Sequence, residues 1–384
     1  MSEPLRFSRV QLKNWKNFAQ CDVRIAGRVF LVGPNASGKS NFLDAFRFLR
    51  DLASDGGGFS EAVRRRRGVG AIRCLAARQE PEVEIRVTAE TRGPGSQWQY
   101  LLAFNQNKAR RRPEIIREKV LLNGKTLLER PTDTDRKDPE LLKQTNLEQT
   151  GTNKDFRELV SFLASIQYLH IVPQLVRDPD RSVGRPNDPF GGDFLDKIAR
   201  TPKARREARL RKIKDALSIA VPKLAEIKLE PDSRGTQHLL GKYEHWRPQG
   251  AWQNEEQFSD GTLRLMGLLW VSMETGGPLL LEEPELSLHS EIVRYLPQMF
   301  ARVQRRTGRQ FLISTHSPDL LSDEGIALDE VLLLRPGGKG TEVTPASEFE
   351  EIPALLSGGS TLADAIVPKT RPDHAEQIAL FGDK

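Results

Sequence analysis

Gly33-Pro34-Asn35-Ala36-Ser37-Gly38-Lys39-Ser40 is the stretch whose reading decides the fold of this chain. It fits G-x-x-x-x-G-K-[ST], a loop that follows a strand, opens a helix and turns its backbone N–H groups onto a polyphosphate. Residues 29–32, Val-Phe-Leu-Val, read as the short buried strand, and residues 41–49 read as the helix, with Phe42, Leu43, Ala45, Phe46 and Leu49 apolar at helical spacing. A glycine-rich surface turn would need neither flank. In the phosphate reading the helix N-terminus adds a favourable dipole, Lys39 reaches the outer phosphates, the Ser40 hydroxyl binds Mg²⁺, and Asn41 closes the run of nucleotide-lining residues.

The rest of the chain is compatible with that reading. Its 384 residues are 38% hydrophobic and 29% charged, a normal globular balance with room for one large or two ordinary domains. No apolar run approaches the roughly 20 residues that cross a bilayer, and Met1-Ser2-Glu3-Pro4 lacks the basic and apolar regions of a signal peptide, so a cytoplasmic protein without a membrane partner is expected. Cys21 and Cys74 have no metal-ligand spacing and are expected to be reduced structural thiols.

Net charge is +6, with a pI of about 9.3, which attracts polyanions without specifying one. Basic residues gather at 64–67, at 110–112, and over 203–214, where seven Lys or Arg are offset only by Glu207. In that last stretch Leu210, Ile213 and Leu217 recur at helical spacing, predicting one buried stripe and a basic outer face. Such a face can bind DNA phosphates or simply be solvated; no aromatic or amide pattern points to base readout.

The pattern predicts two or three strands over 5–32, strands near 83–87 and 100–104, and a hairpin of 118–122 with 126–128 around Asn123-Gly124. A helix is expected over 155–166, a strand over 168–172, a Pro/Gly-rich loop over 177–193 and a hairpin within 331–343. The organisation expected is an N-terminal lobe (1–130), an inserted, mainly helical and basic segment (131–250), a C-terminal lobe (251–345) and a final helix with a polar tail (346–384).

Within the C-terminal lobe, Ser259-Asp260-Gly261-Thr262 opens a helical run over 263–273 that Gly276-Gly277-Pro278 stops. Leu279-Leu280-Leu281 then reads as a buried strand with Glu282-Glu283 at its C-terminal end, where ligand residues collect in an open α/β sheet. One carboxylate can hold Mg²⁺ and the next can orient or deprotonate the water that attacks a γ-phosphate. A third apolar strand, Phe311-Leu312-Ile313, leads to Ser314-Thr315-His316-Ser317-Pro318, whose histidine can hydrogen-bond a γ-phosphate oxygen.

In this order the residues resemble the ABC-type ATPase heads of the RecF, SMC and OLD families, over 5–49 and 257–321. The resemblance implies an α/β P-loop NTPase with a mixed central sheet, an antiparallel β subdomain and a mainly helical insertion. It implies that Ser259 to Thr262 are the signature, Glu282-Glu283 the Walker B acids, Ser287-Leu288-His289 the D-loop, His316 the switch histidine, and Gln174 in Ile171-Val172-Pro173-Gln174 the Q-loop glutamine on the Mg²⁺ side. Trp15, Lys16 and Phe18 are then candidates for adenine contacts. Glu282 stands where most of these heads have Asp, and Asp260 and Thr262 depart from Ser-Gly-Gly-Gln. Since the signature of one such head completes the nucleotide site of another, an ATP-bound, head-to-tail homodimer is implied.

The Pro-Asn-Ala loop, Glu-Glu-Pro-Glu acids and Thr-His-Ser-Pro segment look most like OLD-like AAA-family ATPases associated with DNA processing and antiphage defence. Several of those carry a TOPRIM-type nuclease domain. Only 66 residues follow Pro318, so any nuclease or effector is expected in a separate subunit. A RecF-like repair ATPase, a nucleotide-gated scaffold with little turnover and a transporter motor are the alternatives.

Overall fold

Strands β1 (Arg6–Trp15) and β4 (Val83–Glu90) alternate buried and exposed residues, as strands with one face on a core must. Strand β3 (Arg28–Val32) is instead buried at every position, the signature of a central strand covered on both faces. The computed structural model describes residues 4–76, 80–93, 95–107, 109–178, 188, 190–244, 251–371 and 375–381. Of the loop expected over 177–193, residues 179–187 and 189 lie outside the described residues.

The remaining strands are β2 (Phe18–Arg24), β5 (Gln97–Asn107), β6 (Arg112–Leu122), β7 (Lys125–Arg130), β8 (Gln167–Leu169), β9 (Leu224–Pro231), β10 (Gln237–Tyr243), β11 (Ala251–Gln253), β12 (Leu279–Glu282), β13 (Phe311–Thr315), β14 (Val331–Gly337) and β15 (Gly340–Pro345). The chain forms two compact units. The first comprises Met1–Gln167, Gly276–Leu280 and Gln304–Lys384, and the second Tyr168–Thr275 and Leu281–Val303. Two of the four chain crossings between them fall within β8 and β12.

The first unit carries an antiparallel sheet in the order β2-β1-β4-β5-β6-β7. Its β6–β7 hairpin turns at Asn123 (φ 49°) and Gly124 (φ 81°), two left-handed residues whose twist matches that of the strands, as the Asn-Gly pair predicts. A mixed sheet runs β15-β14-β3-β13-β12-β8, with β13 and β14 parallel to β3 on either side and β15 antiparallel to β14. The helix Lys39–Ala53 leaves β3 through the glycine loop and buries Phe42, Leu43, Phe46 and Leu49. Phe46 meets Phe7 of β1 edge-on at 4.9 Å between ring centroids. Burial of each such side chain stabilises the unit by about 1.5–3 kcal/mol.

Two of the three basic runs are engaged in ion pairs of the first unit. Arg64 and Arg65 pair with Glu61, while buried Arg66 bonds both Asp44 and Asp51 of the Lys39–Ala53 helix at 2.9 Å. Arg110 and Arg112 pair with Glu114 and Glu140. Burial and these partners act in opposite directions on Asp44: burial raises its pKa, Arg66, Lys16 and Arg47 lower it, and the net value is about 2. Cys21 and Cys74 are buried free thiols, and burial pushes Cys21 up to about 12.

In the second unit the third basic run is the helix Lys203–Ala220. Its Leu210, Ile213 and Leu217 stripe packs in one cluster with Ile227, Leu229 and Leu239 and with Leu263, Met266 and Trp270 of the helix Asp260–Ser272. The strands under it form an antiparallel sheet, β11-β10-β9, of which β9 and β10 lie inside a segment whose sequence reads as mainly helical. Strand β9 buries Leu224, Ile227 and Leu229, a spacing that mixes three and two and so conceals the strand period. On the helix, Lys203, Arg205, Arg211 and Lys212 are exposed. Arg206 donates to the Ala199 carbonyl at 2.9 Å, and Arg209 donates to that of Met273 at 3.2 Å while stacking on Trp270. Among the described residues, no helix is long and apolar enough to cross a membrane.

Candidate functional site

The loop after β3 has the geometry that its glycines require. A Cβ on Gly33 would lie 2.4 Å from the Leu334 carbonyl oxygen. Gly38, at φ 99°, caps the helix, and a Cβ there would lie 1.9 Å from the Asn17 amide nitrogen. Ala36 also has positive φ (62°). Pro34, Asn35, Ala36 and Ser40 reach the surface, Ser37 and Lys39 are buried, and Asn41 is half-buried. The Lys39 ammonium bends back over the loop and donates to the carbonyls of Gly33 (2.8 Å) and Pro34 (3.1 Å). Strand partners Val32 and Thr315 end side by side, so exposed His316 emerges beside Gly33 within the same unit.

Sequence reasoning missed the residues that hold this loop. The Asn17 amide donates to the Ser37 carbonyl (3.0 Å) and to the Thr341 hydroxyl (2.6 Å), and its oxygen accepts from Asn41 (2.8 Å). Thr341 donates to the same Ser37 carbonyl at 2.8 Å. The only sequence signal was a polar Asn17 between Trp15 and Phe18 in a tight strand connection. Trp15 and Phe18, expected as adenine contacts, are instead core residues with no exposed surface. The Trp15 indole donates to the Asn41 carbonyl at 2.8 Å, Phe18 packs edge-on against Phe42, and Lys16 pairs with Asp44 at 2.6 Å. An aromatic pair flanking a turn reads equally well as a ligand platform or as core, and packing against the helix decides for core.

The second unit carries the acids and the expected signature. Glu282 ends β12, where its carboxylate accepts from the Tyr168 hydroxyl and its carbonyl lies 3.2 Å from Nδ1 of His170. Glu283 has left-handed backbone, φ 44°, an arrangement that costs about 1–2 kcal/mol and is held by the turn that returns the Leu286 N–H to its carbonyl. Arg264 lines one recess with Glu282, Glu283, Leu169, Ile171 and Pro284. Desolvation lowers its pKa, against the charges of Asp260 and Glu283, and its Nε is buried without a hydrogen-bond partner among the described residues.

Ser259 caps the helix Asp260–Ser272, accepting from the Thr262 N–H at 3.2 Å, with the two hydroxyls 2.8 Å apart. Asp260 pairs with Arg177 at 2.6 Å, and Arg177 also donates to the Phe258 carbonyl. A Cβ on Gly261 would lie 2.4 Å from the Ser287 carbonyl oxygen, so the helix start and the Ser287-Leu288-His289 turn are in close approach. Gln174 is exposed on the four-residue helix Pro173–Val176, between His170 and Arg177. Lys39, Ser40 and His316 thus belong to the first unit, and Gln174, Ser259 to Thr262, Glu282 and Glu283 to the second.

The loop of the first unit fits the phosphates of a nucleotide. The first turn of the Lys39–Ala53 helix contains no acid and its cap has no side chain, so its N–H groups and dipole favour an anion. The buried Ser37 hydroxyl has no hydrogen-bond partner among the described residues. No group of three or more His, Cys, Asp or Glu that could hold a metal occurs among the described residues. The Ser40 hydroxyl, exposed at the helix start, is the kind of donor offered to an ion that arrives with phosphates and keeps several waters.

Residues 28–322 match the family described as "AAA domain, putative AbiEii toxin, Type IV TA system". The chain belongs to this family. No curated protein matches the sequence. Among solved structures, this AAA-domain chain is similar to an Smc head bound to the C-terminal winged-helix domain of ScpA, with 15% identity, a TM-score of 0.53 and coverage of 88% of this chain and 96% of that one. It is similar to the Smc head of Pyrococcus furiosus with an extended coiled coil, bound to the C-terminal domain of ScpA (12%, 0.53, 92% and 100%). The Smc head of Pyrococcus yayanosii with coiled coil and joint is a further match (11%, 0.52, 93% and 100%). The AAA-domain chain therefore has the mixed α/β fold of an ABC-type P-loop ATPase head.

Proposed function

We propose that this AAA-domain protein binds MgATP, hydrolyses it, and uses the cycle to close and open a head-to-tail homodimer on DNA. In this reading it is a cytoplasmic clamp or sensor in antiphage defence, resembling the OLD-like group, with a separately encoded effector or nuclease subunit. The observation that carries the reading is the loop from Gly33 to Ser40, with an acid-free helix start behind it and the Lys39 ammonium across its mouth.

Lys39 exchanges the carbonyls of Gly33 and Pro34 for the outer phosphates. Ser40 and Glu282, with Gln174, would hold Mg²⁺, which would neutralise phosphate charge. Glu283 orients or deprotonates the attacking water, and His316 donates to a γ-phosphate oxygen. Ser259 to Thr262 offer a hydroxyl and helix N–H groups to the γ-phosphate held by the other copy. The exposed Lys203, Arg205, Arg211 and Lys212 supply the DNA phosphate contacts. The toxin–antitoxin wording of the family description supports defence over RecF-like repair. A nucleotide-gated scaffold with little turnover is the second reading, favoured by the glutamate at 282 and its engagement by Tyr168.

Phosphate release by the purified protein, with and without DNA, tests the proposal. Mg²⁺-dependent turnover that Lys39→Ala abolishes supports it; ATP binding with no turnover in either condition selects the scaffold, and no ATP binding removes both.

A further inference from the structure

Glu282 is contacted twice by one short segment, Tyr168 in β8 and His170 just beyond the strand's end. The Tyr168 hydroxyl donates to its carboxylate, and two residues on, His170 Nδ1 lies 3.2 Å from its carbonyl oxygen. Tyr168 is 8% exposed, which fixes its ring by packing and leaves its hydroxyl oriented before any ligand arrives. A glutamate carries three side-chain torsions, and a carboxylate at the end of such an arm reaches a metal or its water in only a few of the combinations.

We infer that Tyr168 is a positioning residue for Glu282: its hydroxyl fixes the carboxylate in the rotamer that serves magnesium. The inference rests on the reading of Glu282 as the magnesium-side acid. A charge-assisted O–H···O⁻ bond is stronger than a neutral one, enough to select one rotamer. The chain after β8 runs on through the helix Pro173–Val176 to Arg177, which holds Asp260 at the start of the Asp260–Ser272 helix. One ten-residue segment, 168–177, therefore touches both the first acid and the helix start within the second unit.

The test is a magnesium titration of binding of a fluorescent ATP analogue, read on wild type, Tyr168→Phe, Glu282→Asp and the double variant, all in the Glu283→Gln background to suppress turnover. Tyr168→Phe removes one oxygen and keeps the packed ring. The Mg²⁺ concentration for half-maximal binding is expected to rise about tenfold in Tyr168→Phe and by a similar factor in Glu282→Asp, whose shorter arm no longer reaches the hydroxyl. In the double variant the second change should add less than about twofold. Binding in EDTA and the unfolding temperature should stay at the wild-type values. A Tyr168→Phe titration that superimposes on wild type, or a shift just as large in the Glu282→Asp background, overturns the inference while leaving the functional reading intact. Wild-type binding that is indifferent to magnesium overturns the reading of Glu282 itself, and the brace with it.

Discussion

Val32 and Thr315 are direct partners in neighbouring parallel strands, so the chain that carries His316 leaves the sheet beside the chain that starts the phosphate loop at Gly33. A histidine in that position can sense the end of a bound triphosphate without holding the rest of it. His316→Ala is expected to lower the hydrolysis rate by about a hundredfold and to change ATP affinity by less than about threefold. Phosphate release and calorimetric binding separate the two; loss of affinity in step with rate would assign His316 to binding instead.

The loop depends on Asn17 as much as on its glycines. Gly38→Ala forces a Cβ to within 1.9 Å of the Asn17 amide at φ 99°, so loss of nucleotide binding and a lower unfolding temperature are expected. Asn17→Ala keeps the backbone but leaves the Ser37 carbonyl with the Thr341 hydroxyl alone and removes the Asn41 contact, and about a tenfold weaker ATP affinity should follow. Wild-type binding in both variants would show that the loop is set elsewhere.

Acid should loosen the first unit through Asp44. Its folded-state pKa, about 2, lies below the ordinary 3.8, so its contribution is fully present above about pH 4 and is lost as pH falls towards 2. That contribution is about 2 kcal/mol. Urea unfolding at pH 6 and pH 3 should show a loss of stability that Asp44→Asn, already destabilised at pH 6, shows less. Equal acid sensitivity in the two proteins would move the effect to other carboxylates.

The basic helix separates into two kinds of arginine. Replacing Lys203, Arg205, Arg211 and Lys212 together by Ala should reduce the slope of log affinity for DNA against log salt by about 3–4. Arg209→Ala should leave that slope alone and lower stability, because its guanidinium covers Trp270 and bonds the Met273 carbonyl. An unchanged slope in the fourfold variant would mean a merely solvated face.

What was legible in the sequence was local. The phosphate loop with its strand and helix, the Asn123-Gly124 hairpin, the strand that ends at Glu282 and the Leu210, Ile213, Leu217 stripe all follow from residues a few positions apart. What was not legible joins distant segments. Asn17 meets Thr341, Tyr168 meets Glu282 and Arg177 meets Asp260 across long separations that no spacing rule connects. Trp15 and Phe18 were misread for the same reason, since only the packed helix shows which aromatic faces are covered. For the basic runs at 64–67 and 110–112, the partners Asp44, Asp51 and Glu140 come from other elements and could not be read from spacing.

The central claim is that one chain carries both a phosphate loop and the capping helix start that closes the loop of a second copy. Sedimentation mass of the Glu283→Gln protein, with and without MgATP, tests it most directly. The account predicts monomers without nucleotide, dimers with it, and monomers again when Ser259→Arg is added. A mass that stays monomeric while ATP is bound at saturation would contradict it.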